Sequence, residues 1–345
     1  MKINKTMRSL SLGLIALSLS FSPSQLLAFG LPSIGGGGGA KKSFSSPTSS
    51  LGGGKVKAIA EVAKIIKELN EKFSSREIGP MDEYYLGMMV AQEVVENNEL
   101  LPSDHAAVTY TDKLVRTIAA NSLVPRPYKG YIVMVVKSDK ADAFALPGGF
   151  IFVTKGMFDF CKNEDELAGV IAHEITHVEE QHILNDVGAN KVGSMVAMSL
   201  ELANNKLLDK LIKDRLAEAN IPEDMHKMVV DRVTSKLKEQ LNNLVMEVYK
   251  RIYQRFRQGY SIKDERSADF RGMELARASG YSNDSFVELL PRVKEEKGSY
   301  GGDGYSKHRY AEAKGKFDAL GAEEVQGLEA RKERYEAIVK LLNEG

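Results

Sequence analysis

The sequence predicts an α+β fold, mostly helical, with a small sheet placed ahead of a buried central helix. Apolar residues recur at helical spacing over most of the 345-residue chain. Two short β-branched and aromatic runs, Gly130 to Lys137 and Phe150 to Val153, interrupt that pattern as strands would. Directly after them, Leu167 to Ile183 carries a stripe of Leu167, Val170, Ile171, Ile175 and Val178, which marks a core helix.

At the N-terminus, Lys2, Lys5 and Arg8 precede an apolar run from Leu10 to Phe21, and a cleavage site ends at Ala28. A run of that length is a secretory h-region and falls short of the roughly 20 residues that span a bilayer. Residues 1–28 are therefore expected to be a signal peptide and the protein to be exported to the periplasm. Leu26 is large for its position, so an uncleaved leader that tethers the chain to the membrane is the alternative. Residues 29–54, with Gly35 to Gly39, Gly52 to Gly54 and many Ser, have too little to bury and read as a flexible linker. Helical patterns follow at Val56 to Phe73, Met81 to Asn97 and Val108 to Ala120.

Residues 55–320 are expected to form the main domain. Within it, 188–259 is a helical insertion predicted to cover the cleft, with Leu207, Leu208, Leu211 and Ile212, then Leu237, Leu241, Leu244, Val248, Ile252 and Phe256, at helical spacing. Residues 321–345 hold an amphipathic helix, Ala322 to Asn343, that packs back on the domain or meets a partner. The chain has 47 basic and 47 acidic residues, and loss of the leader removes three cations and no acid, leaving a balance of −3. No basic stripe survives, which excludes nucleic acid as a partner. Cys161 is the single cysteine and forms no internal disulfide; it reads as a small buried hydrophobe.

The chemistry lies in His173-Glu174-Ile175-Thr176-His177. On a helix, His173 and His177 stack one turn apart, so two imidazoles converge on one cation, and Glu174 leans over the same face as a base for a water held there. Asn163 supplies an N-cap, and Glu164, Asp165 and Glu166 fill the first turn. A catalytic zinc takes three protein ligands. Glu265 and Asp269 lie one turn apart on a second helix that begins at Asp264. They are either a ligand with an acceptor that supports a ligating imidazole, or solvated acids paired with Arg266 and Arg271. His182 is rotated off the 173/177 face by about a third of a turn, which suits a helix-end or supporting role better than ligation. His105 and His226 have no partner spacing.

HEITH, the later Glu265-x-x-x-Asp269 and the upstream Asp142-Ala143-Phe144-Ala145-Leu146-Pro147-Gly148-Gly149-Phe150 resemble family 48 of the metallopeptidases, the group of the HtpX and CAAX prenyl proteases and of soluble periplasmic relatives. The similarity runs from about Arg76 to about Lys314. It implies a zincin-like domain with one zinc ion on His173, His177 and Glu265, Glu174 as general base, and Asp269 behind a ligand histidine. It also implies that the edge strand bordering the cleft, Ala143 to Gly149, pairs with an extended substrate through Ala143, Phe144, Ala145, Leu146, Gly148 and Gly149. His308 matches a histidine that holds the oxyanion or fills the open zinc position. Lys314 stands where the family has an arginine that supports it, and Asp142 replaces an asparagine.

The expected function is thus a zinc endopeptidase for unfolded or extended proteins, acting in quality control in the cell envelope with envelope or membrane-associated partners. A latent zinc-site protein shut by His308, which binds clients as a chaperone or scaffold, is the alternative. A zinc hydrolase for small substrates is a third reading, which the edge-strand motif disfavours.

Overall fold

A computed structural model describes residues 79–187, 205–218, 249–293, 307–321 and 325–344, with a few positions between them. The leader, the linker, the 56–73 helix apart from Lys64, and the apolar stripe from Leu237 to Val248 lie outside the described residues. The chain divides into two compact units, one built on Ile78–Asn190 and Glu247–Gly345, the other on Asn4–Glu77 and Lys191–Met246.

In the first unit, α1 (Pro80–Asn97) and α2 (Ala106–Ala119) lead into strands β1 (Ile132–Val136), β2 (Ala143–Leu146) and β3 (Phe150–Thr154). Short α3 (Lys155–Phe160) and the motif helix α4 (Glu164–Glu179) follow, then α5 (His182–Asp186). The second unit contributes α6 (Asn205–Glu218), with Ile212 and Leu216 buried. Back in the first unit are α7 (Ile262–Ala278), α8 (Asn283–Val293), α9 (Lys307–Leu320) and α10 (Leu328–Glu344). Mostly helical with one small sheet, the fold is α+β as expected. Among the described residues, no helix is long and apolar enough to cross a membrane.

The sheet order is β1-β3-β2, with β1 parallel to β3 and β2 antiparallel to it. β2 is therefore an edge strand. It stops at Leu146 and does not run to Gly149: Gly148 and Gly149 take left-handed φ of 76° and 89°, and the Gly149 N–H donates to the Leu146 carbonyl at 3.3 Å to close a turn. Glycine is required at 148, where a Cβ would sit 2.4 Å from the Tyr84 Cα.

α4 is buried along nearly its whole length, so it serves as the axis of the core. Asn163 caps it, accepting from the Glu166 N–H at 2.8 Å. Its three first-turn acids do more than complement the helix dipole. Glu164 accepts from Arg334 at 2.8 and 2.5 Å and from the Tyr110 hydroxyl at 2.9 Å; Asp165 accepts from Arg331 at 2.7 Å; Glu166 pairs with Arg292 at 2.5 Å. Two of those arginines belong to α10, which packs back on the domain and buries Tyr335, Ile338 and Leu342 in the main core. Of the two options given for the C-terminal helix, the structure shows the packing on the domain.

Candidate metal centre

α4 and α7 position the site. α7 starts two residues before Asp264, where the Ser261 hydroxyl caps it by accepting from the Asp264 N–H at 3.2 Å. The two helices approach closely at Gly272, whose hydrogen faces the backbone of His173. With no side chain at that crossing, Glu265 is brought over the histidine pair two turns earlier on α7.

His173 and His177 are both buried, and their Nε2 atoms face each other at 3.0 Å. Glu265 Oε2 lies 3.6 Å from His173 Nε2. One ligand atom from each of His173, His177 and Glu265 falls within 4.8 Å of the other two. Behind this cluster, Asp269 Oδ1 sits 2.9 Å from His173 Nδ1 and is fully buried. Glu174 is buried beside them on the same helix. The neighbouring arginines on α7 are engaged with other acids: Arg266 pairs with Glu312, and Arg271 with Glu179 at 2.7 Å and Glu274 at 3.5 Å.

A model of peptidase family M48 matches residues 107–325, a span that takes in every residue of this cluster. The chain belongs to peptidase family M48. Over 111 residues it is 32% identical to the mitochondrial metalloendopeptidase OMA1 of Schizosaccharomyces pombe, covering 31% of this chain and 32% of that one. Over 104 residues it is 33% identical to the beta-barrel assembly-enhancing protease of Yersinia pestis and 29% identical to that of Escherichia coli, covering 30% of this chain and 20% of each relative. The matches thus span a third or less of the relatives' own lengths.

Other parts of the M48 site came from outside its motif. His182 was expected on a continuing helix, but α4 ends at Glu179 and Gln181 takes φ 53°, a left-handed turn that sends the chain back. His182 Nδ1 thereby reaches His177 Nδ1 at 2.8 Å. Tyr260, which the sequence did not single out, stacks on the His177 ring with centroids 3.6 Å apart and its hydroxyl 3.5 Å from the Ala145 carbonyl. Burial, with the charges of Glu174 and Glu265, pushes its phenol well above the usual range, so it stays protonated. Its only signal in the sequence was its place next to the cap of the Glu265 helix.

Beside His177 is a narrow pocket lined by Leu146, Val178, Leu184 and Tyr260 and by Glu83 and Gln181. Burial raises the Glu83 carboxyl to about 7, although a hydrogen bond from the Gln181 amide opposes that shift.

β2 borders this region with Ala143, Ala145 and Leu146 buried and Phe144 half-buried between Phe152 at 4.9 Å and Phe256 at 4.7 Å. The Thr154 N–H donates to the Asp142 carbonyl at 2.9 Å, so even-numbered residues of β2 face β3. The backbone groups of Ala143 and Ala145 consequently point outward, and among the described residues no strand pairs with them. Gly148 and Gly149 belong to the turn and offer no strand edge.

His308 falls in the first turn of α9, and its side chain lies outside the described residues. Lys314 is on α9 too, about half exposed, and pairs with Asp318 at 3.1 Å over the Phe317 ring. Cys161 is buried beside Met157, as a small hydrophobe would be. His105 caps α2, its Nδ1 accepting from the Ala107 N–H at 3.1 Å.

Proposed function

We propose that this chain is a zinc-dependent endopeptidase of zincin-like architecture that hydrolyses extended or misfolded polypeptides. The convergence of His173, His177 and Glu265 from two helices carries this reading. Two neutral imidazoles and one carboxylate are the donor set of a catalytic zinc, which leaves a position open. The residues fit the ion in a further respect: each histidine has its Nδ1 within 2.9 Å of another buried group, Asp269 or His182, leaving Nε2 to face the cluster.

His173, His177 and Glu265 would hold the zinc, which when bound polarises a carbonyl and makes water a stronger acid. Glu174 takes the proton of the attacking water and returns it to the leaving amine. The outward backbone groups of Ala143 and Ala145 bind the substrate as an added strand, so recognition rests on main-chain bonds, with Phe144 and Leu146 as side-chain neighbours. His308 supports the oxyanion. Lys314 would have to leave Asp318 to join it. Residues 1–28 direct the protein to the periplasm, where envelope proteins are its substrates and partners; for the substrates alone, the name of the beta-barrel assembly-enhancing relatives supports this reading.

The test is cleavage of an unfolded protein by the purified chain lacking residues 1–28, beside its Glu174→Gln variant, with bound metal measured in both. Cleavage by the wild type and none by an equally zinc-loaded variant is the expected result. If neither cuts while both carry zinc, the endopeptidase reading falls and the chain is a latent binder.

A further inference from the structure

The contacts behind His177 form a continuous chain that runs from buried His177 and His182 to half-buried Glu180 and Ser267. His177 Nδ1 meets His182 Nδ1 at 2.8 Å, His182 Nε2 meets Glu180 Oε2 at 2.9 Å, and the Ser267 hydroxyl donates to the same Glu180 oxygen at 2.5 Å. Ser267 stands on α7, two residues beyond Glu265. The chain therefore starts at a residue of one metal-site helix and ends on the other. Gln181, with its left-handed backbone, makes it possible by folding His182 back under α4.

The geometry points to His182, with Glu180 and Ser267, as the positioning relay that fixes the tautomer and orientation of His177 and locks α4 to α7 around the metal. This deepens the zinc reading above and rests on it. Protons can be placed in one way only. A histidine that gives its Nε2 lone pair to a cation carries its proton on Nδ1. His182 Nδ1 must then accept that proton's hydrogen bond, so the His182 proton sits on Nε2 and is donated to Glu180. Glu180, as a carboxylate, accepts from both His182 and Ser267. Each donor meets an acceptor, and none of the three groups needs to change its charge. His173 has a one-residue equivalent in Asp269, whereas His177 is served by a relay that also joins the helices.

The experiment compares wild type, His182→Phe and His182→Gln by zinc competition against a chromophoric chelator and by the visible spectrum after cobalt substitution. The glutamine amide places an acceptor and a donor on either side of one carbon, as the two ring nitrogens are placed, and can serve both neighbours. His182→Phe is expected to weaken zinc roughly 10–100-fold, the usual loss when a ligand's support is removed. Glutamine should restore most of that loss along with the wild-type cobalt spectrum. Equal zinc affinity in His182→Phe overturns the relay, and so does a glutamine variant as weak as phenylalanine, which would mean that ring packing alone matters. If His182→Phe does not fold, Glu180→Ala carries the same test from the solvent side, with a several-fold loss expected and no change overturning it. Absence of zinc binding by folded wild type would overturn the metal site itself and the relay with it.

Discussion

The close crossing of α4 and α7 makes Gly272→Ala a sharp perturbation. A Cβ at Gly272 would lie 2.9 Å from the His173 nitrogen, 3.0 Å from its Cα and 3.2 Å from the Ala172 carbonyl carbon. Ordinary contact is about 3.5–4.0 Å, so the helices must separate by roughly 0.5–1 Å. All three atoms belong to the backbone of a buried helix, and none can swing aside. Alanine in place of glycine gains about 0.5–1 kcal/mol from helix propensity, while overpacking costs about 1–3 kcal/mol. The net expectation is a loss of about 1–2 kcal/mol, or roughly 2–8 °C in melting temperature for a unit of this size. Separation also draws Glu265 and Asp269 away from His173, and zinc affinity should fall roughly 10-fold or more. Thermal unfolding of the metal-free protein and chelator competition read the two effects separately. A variant as stable as wild type with unchanged zinc affinity would refute the tight crossing and the positioning of Glu265 derived from it.

Glu83 titrates near 7 when folded and near 4.5 when unfolded, so the folded state holds the extra proton between those values and stability falls as pH rises through that window. Glu83→Gln should remove this slope and stabilise the protein by about 1–2 kcal/mol at pH 8 after allowance for solvent screening, with little effect at pH 4.5; equal urea midpoints of variant and wild type at pH 8 would refute it. Arg334→Ala leaves the buried Glu164 carboxylate with the Tyr110 and Tyr281 hydroxyls alone and should cost about 2 kcal/mol, most of it recovered in the Glu164→Gln background, which a double-mutant cycle in urea measures. Withdrawal of zinc by a chelator should lower the melting temperature by roughly 5–10 °C when the ion had been present at about 100 times its dissociation constant. A melting curve indifferent to the chelator would count against a metal held by folded residues alone.

Much of the site was legible because its spacing is local. His173 and His177, Glu265 and Asp269, and the cap at Asn163 each lie within one or two helical turns, and a regular helix fixes the relation of such neighbours before any packing occurs. At His182 the expected supporting role is met by another route, since one left-handed residue, Gln181, ends the helical wheel on which its placement was judged. Local reading overextended β2, because two glycines that look like strand continuation form the turn that ends the strand. Tyr260 and Gly272 gave no usable signal: an aromatic before a cap and a glycine inside a helix have many uses, and only the partner across the gap tells which.

The acids at the start of α4 show where local reading stops. Glu164, Asp165 and Glu166 announce a helix N-terminus by composition, and the local dipole is reason enough for them. The ion pairs of these buried acids with the partly exposed Arg292, Arg331 and Arg334 join residues more than a hundred positions apart. Helical periodicity, capping and the metal-ligand motif are short-range consequences of backbone geometry, and the order of side chains along the chain carries them. Which arginine meets which acid, which side of His177 is supported, and how closely α7 can approach α4 depend on the packing of distant segments into shared space, and that is settled only when the chain is folded.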